Sequence, residues 1–192
     1  IPLLKELVKR VEVSDNSEIK LDFPIFLIGT GHIQQYIASK QTSELSEALR
    51  WYDRLGKEFP NSPKIKDMLL KRIDVLRALS KNNEAIDLMK KILSGGYRNV
   101  RLSQSEQTKL LKDLTQIYYS TGQLSEGLPY CGQLFEIARD PEDQALAAAA
   151  SFEALFQAER LDDALNLLPR LAKESAVRYR PRLNVALLKA SD

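Results

Sequence analysis

The feature that most constrains this 192-residue chain is an internal repeat. Four segments share a polar turn, an acidic residue and a small residue at the start of an amphipathic helix. They are Leu45-Ser46-Glu47-Ala48-Leu49, Asn83-Glu84-Ala85-Ile86-Asp87, Ser125-Glu126-Gly127-Leu128 and Asp162-Asp163-Ala164-Leu165. The small residues Ala48, Ala85, Gly127 and Ala164 are spaced by 37, 42 and 37. Four positions on stand Tyr52, Met89, Cys131 and Leu168, one helical turn along the same face. Self-similarity at such a period predicts stacked supersecondary units rather than one compact core.

A partner helix is predicted before each of these. Ile65, Leu69, Ile73, Leu76 and Leu79 recur at helical spacing, as do Leu111, Leu114, Ile117 and Tyr118, and Ala145, Ala148, Phe152 and Leu155. Ser62-Pro63 and Asp140-Pro141 each put a capping side chain before a proline at a first helical position, and Ser103-x-x-Glu106 has capping-box spacing. Pro60, Pro63, Pro141 and Pro181 fall between helix pairs, where they do no harm. Pro169 falls inside the fourth second helix and predicts a kink or an early end. No segment alternates with period two, so no sheet is expected.

These pairs resemble tetratricopeptide repeats. The residues that carry the resemblance are Tyr118, Gly122, Leu124, Gly127 and Pro141, with Ala48, Tyr52 and Pro60 at the family's Ala-x3-aromatic-x7-Pro spacing. It covers roughly residues 22–175. The periods exceed the family's 34 and its first-helix Trp is missing; Gly29 fits the first repeat's first-helix glycine if that repeat has a lengthened helix. The resemblance implies an all-α, right-handed superhelical array of antiparallel helix hairpins. Its divisions are a preceding repeat end and linker (1–21), repeats over 22–60, 61–101, 102–140 and 141–178, and the start of a further helix (179–192). Because the chain starts and stops within helical patterns, it is expected to be part of a longer protein.

Composition bears on the chemistry. At 44% hydrophobic and 28% charged the chain reads as globular. One Cys and one His leave neither a disulfide nor a thiolate or His-rich metal site, so no cofactor and no metal are expected. His32 reads as a packed or solvated helical residue, and Cys131 as a buried inert thiol. Gly29-Thr30-Gly31 lacks the remaining elements of a phosphate loop. Glu142-Asp143 and Asp162-Asp163 sit where they complement helix dipoles, not where paired catalytic carboxylates are needed. No catalytic constellation emerges, and a non-enzyme is expected. The longest apolar stretch, residues 23–28, is about a third of the roughly 20 residues a span requires, so no membrane span is expected.

The formal charge of +2 conceals an uneven distribution. Residues 61–120 carry 12 basic and 6 acidic side chains, and 121–192 carry 8 and 11. Lys64, Lys66, Lys71, Arg72, Arg77, Lys81, Lys90 and Lys91 crowd the second hairpin, which reads either as a solvated face or as a landing patch for an acidic segment or anionic polymer. With little aromatic interleaving it does not suit nucleic acid.

The resemblance implies a concave groove lined by first helices, and carrying those positions over gives Arg77, Lys109, Lys112, Gln116, Tyr119, Glu153 and Phe156. The family's carboxylate clamp is incomplete, with Asp74, Gln116 and Glu153 at its Asn positions. The expected function is a protein- or peptide-binding scaffold. Two rivals stand beside it: a bacterial cell-envelope domain of an outer-membrane assembly or polysaccharide-export protein, suggested by Glu58-Phe59-Pro60-Asn61-Ser62-Pro63, and a regulatory domain of a larger enzyme or transcription regulator. Uncapped terminal hairpins would also allow a homodimer. The compartment stays open between cytoplasm and cell envelope.

Overall fold

The computed structural model describes residues 1–14 and 20–171, with 180, 181, 184 and 186. Every regular element among them is helical: α1 (Pro2–Ser14), α2 (Asp22–Ser39), α3 (Thr42–Glu58), α4 (Ile65–Ala78), α5 (Asn82–Leu93), α6 (Gln104–Ser120), α7 (Leu124–Ile137), α8 (Pro141–Gln157) and α9 (Leu161–Leu167). A 3-10 turn, Leu168–Arg170, follows α9, so the helix ends just short of Pro169. No described helix is long and apolar enough to cross a membrane. Of the further helix expected over 179–192 only residues 180, 181, 184 and 186 are described, all four helical; the rest of it, and most of the basic run Arg178-Tyr179-Arg180-Pro181-Arg182, lie outside the described residues.

The chain forms two compact units, Ile1–Arg101 and Leu102–Asp192. Within each, helices pack on their neighbours in chain order. Some contacts skip a helix: α2 reaches α4 in the first unit, and α6 reaches α8 in the second.

The repeat is legible at the helix ends. Lys40 (φ 59°), Ser80 (φ 57°), Gly122 (φ 72°) and Glu159 (φ 57°) follow α2, α4, α6 and α8, each in the left-handed conformation that reverses the chain. The next helix then buries its small residue: Ala48, Ala85 and Ala164 are all 0% exposed, and Gly127 is buried. Ala85, Gly127 and Ala164 stand three residues into their helices, while Ala48 stands six into α3, so the lengthening in the first repeat includes an added stretch at the start of α3.

In the first unit α3 buries Leu45, Ala48, Tyr52 and Leu55 along one stripe. Tyr52 is stacked on Phe26 (centroids 6.2 Å apart), and its hydroxyl is 3.2 Å from Thr30 Oγ1. Burial pushes the Tyr52 phenol up to about 12, partly opposed by the Thr30 hydrogen bond. His32 is buried, as expected of a packed residue, with Nδ1 2.5 Å from Glu44 Oε2, tying α2 to α3. α1 buries Val8 and Val11 and is further held by the Arg54–Glu12 ion pair and by Lys5 against the Trp51 ring, 5.8 Å from its centroid.

The start signals are met at two of three places. Ser103 and Glu106 form the reciprocal capping box of α6, with Ser103 Oγ accepting from Glu106 N at 3.2 Å and Glu106 Oε2 from Ser103 N at 2.7 Å. Asp140 Oδ1 accepts from Glu142 N at 2.9 Å, with Pro141 opening α8. Ser62-Pro63 is different: α4 begins only at Ile65. Ser62 Oγ donates to Asp22 Oδ2 at 2.6 Å while accepting from Lys64 N at 3.1 Å, so the capping hydroxyl is drawn into the turn and toward α2.

Candidate functional site

α6 sorts its residues by face. Leu110, Leu111, Leu114, Ile117 and Tyr118 are buried against its neighbours. The opposite stripe, spaced three, four and three, carries Lys109, Lys112, Gln116 and Tyr119. Lys109 and Gln116 are exposed, Lys112 is half-buried, and Tyr119 is 43% exposed despite its size. Four of the seven groove residues expected from sequence therefore form one outward row.

The row runs into a cleft of about 660 Å³ in the second unit. Its lining includes Ser103, Ser105, Thr108, Lys109 and Lys112 from the α6 end, and Arg139, Asp140 and Asp143 from the start of α8. Lys112 Nζ lies 2.5 Å from Asp143 Oδ1. This ion pair holds the Lys112 ammonium above its ordinary value, outweighing desolvation. Asp143, read from sequence as a dipole partner in the first turn of α8, thus also fixes a groove lysine. The two residues are far apart in the chain and on different helices, and no local spacing signals the pair. Arg139 was missed for the same reason: its place follows from where α7 ends.

The remaining expected groove residues sit otherwise. Glu153 is buried at 8% exposure. Phe156 is half-buried and stacked on Phe152 at 6.0 Å and 17°, against the cluster of Ala148, Leu155, Ala164, Leu168 and Leu171. Arg77 is half-buried on α4 of the first unit.

The groups with intrinsic reactivity are committed to packing. Cys131 is buried, and desolvation pushes its thiol above the ordinary value, partly opposed by the neighbouring Thr115 and Ser151 hydroxyls. Among the described residues no group of three or more His, Cys, Asp or Glu is placed to hold a metal ion. In the basic hairpin, Arg72 pairs with Asp53, Lys81 with Glu84 at 2.8 Å and Lys64 with Asp67 at 3.6 Å. Lys64 also lies 5.4 Å and 5.6 Å from the ring centroids of Phe23 and Phe26. Part of its positive charge is therefore already engaged within the fold.

Comparison with protein-family models and with curated proteins finds no match to this chain.

Proposed function

We propose that this chain is a non-catalytic scaffold of tetratricopeptide type, its hairpins stacked in a right-handed superhelix, which binds a protein or peptide along the first-helix face. The observation that carries the reading is the outward row Lys109, Lys112, Gln116 and Tyr119, whose first two members line the 660 Å³ cleft. The skipping contacts α2 to α4 and α6 to α8 support it, because first helices lying side by side are what a first-helix groove requires. The row stands on a helix capped at its start and buried along its inner face, so a partner orders little of the receptor on binding. An exposed tyrosine beside amide and ammonium groups supplies an apolar anchor with hydrogen-bonding neighbours.

The test is site-specific photocrosslinking in cells of origin, with a photoreactive amino acid at position 116 or 119, or at Gln133 on the exposed face of α7. Discrete protein adducts from 116 and 119, absent from 133, are the expected result. Equal labelling from all three positions, or labelling from 133 alone, rejects the groove.

A further inference from the structure

The first unit contains a cavity of about 450 Å³ among α3, α4 and α5, well within the range of ligand sites. Tyr52, Met68, Leu76 and Leu88 line its apolar part, and Tyr97 stands at its wall. Tyr97 comes from the loop of residues 94–103, where the repeat spacing widens to 42.

Gly56 gives a second indication. It lies inside α3, where glycine weakens a helix by roughly 0.5–1 kcal/mol relative to alanine. A Cβ at Gly56 would meet only Met68 Cε, at an unstrained 3.6 Å, so neither packing nor backbone conformation calls for glycine here. What the missing side chain does is leave the cavity open, since Gly56 is part of its lining.

The charges around the cavity indicate the occupant. Asp53 is paired with Arg72 and Glu84 with Lys81, so two of its three carboxylates already have cations. Lys57 and Lys91 remain at the rim, Lys91 Nζ 4.8 Å from the Tyr97 ring centroid, with Asp87 opposing them. The surrounding segment, residues 61–101, carries ten Lys and Arg against four Asp and Glu. An apolar floor with such a surround suits an acidic peptide bearing one large apolar side chain: the side chain fills the cavity and the flanking carboxylates meet Lys57 and Lys91. We infer that this cavity is a second peptide site, separate from the α6 row, for an acidic segment of a protein partner with one aromatic or long aliphatic anchor. A simple anionic polymer would use the lysines and leave the floor empty.

The experiment is fluorescence anisotropy on the whole chain. The probes are a fluorescein-labelled acidic peptide with one central Trp, the same peptide with Ala in its place, and labelled polyphosphate. The Trp peptide is expected to bind at least about tenfold more tightly than either of the others. Gly56→Leu, which fills the cavity, and Lys57→Glu, on the exposed rim, should each weaken it by about tenfold, and Asp87→Asn should strengthen it. If Gly56→Leu fails to fold, Lys57→Glu and Asp87→Asn decide. Equal binding of the Trp and Ala peptides, polyphosphate binding as tight as the Trp peptide, no binding at all, or indifference to the rim substitutions overturns the site.

Discussion

Gly29 of α2 lies against the ring of Tyr52 on α3 so closely that a Cβ there would stand 2.5 Å from Tyr52 Cε1. The second unit makes the same contact with the roles exchanged: Tyr118 is on the first helix and Gly127 on the second, where a Cβ would stand 2.7 Å from Tyr118 Cβ. These two hairpins thus get their close crossing from one glycine under one tyrosine. Gly29→Ala and Gly127→Ala should each lower stability by about 1–3 kcal/mol through overpacking, although alanine is the better helix former. Gly127→Ala should cost more, because its obstacle is a Cβ fixed to the backbone and not the far end of a side chain. Thermal melts of the two variants check this, and a rise in midpoint for Gly127→Ala would refute the close crossing.

The same logic applies where the small residue is alanine. Ala85 is 0% exposed at the start of α5, so Ala85→Leu has no room without moving α4. A loss of about 1–3 kcal/mol in urea unfolding is expected.

Tyr52 makes stability pH-dependent at the alkaline end. Its phenol ionises near pH 10 when unfolded and about 12 when folded, so the neutral form is favoured by folding. Its contribution is complete below pH 10 and is lost as pH rises toward 12, by about 1.4 kcal/mol per unit. Tyr52→Phe removes this part of the slope; unfolding curves for the two proteins at pH 9, 10 and 11 should converge as pH rises. Parallel curves would contradict the assignment.

Three first helices end on a non-glycine residue in the left-handed region, which disfavours a Cβ by about 1–2 kcal/mol. Ser80→Gly and Glu159→Gly relieve that strain and should raise the melting temperature, each worth up to about 1 kcal/mol after the added flexibility of the unfolded chain. Gly122, already glycine at the equivalent place, should lose stability on Gly122→Ala.

Lys112 cannot serve as a silent groove probe. Its partner Asp143 has a side chain only 12% exposed, so Lys112→Met strands a carboxylate and should cost about 1–3 kcal/mol. Adding Asp143→Asn should recover much of the loss in a double-mutant cycle. The folded ammonium is raised above 10.5, so the pair's contribution is present at neutral pH and is lost only as pH climbs past that value. Effects on binding alone are better sought at Gln116 and Tyr119.

Much of the architecture was legible in the sequence because its signals are local. The buried positions of α3, α5 and α7, the capping box of Ser103 and Glu106, and the proline stop at Pro169 depend on residues a turn or two apart, where periodicity and capping chemistry act directly. The outward row on α6 was placed by the resemblance, whose groove positions carry over onto it, and not by a local signal of its own. Ser62-Pro63 was misplaced because the chain makes a turn there before α4 begins at Ile65, and Ser62 Oγ accepts from Lys64 N within that turn while donating to Asp22 of another helix.

By itself, the sequence determined that this chain folds as a succession of helices, which small residues are buried near the starts of α5, α7 and α9, and which faces are apolar. These follow from spacing within single elements. Only the tertiary structure decided that Lys112 is held by Asp143, that Glu153 is buried, that glycine and tyrosine exchange helices between the two units, and that Gly56 borders an open cavity. Each depends on residues from different helices, or distant in the chain, meeting at close range, and side-chain spacing along one helix carries no record of the distance to the next.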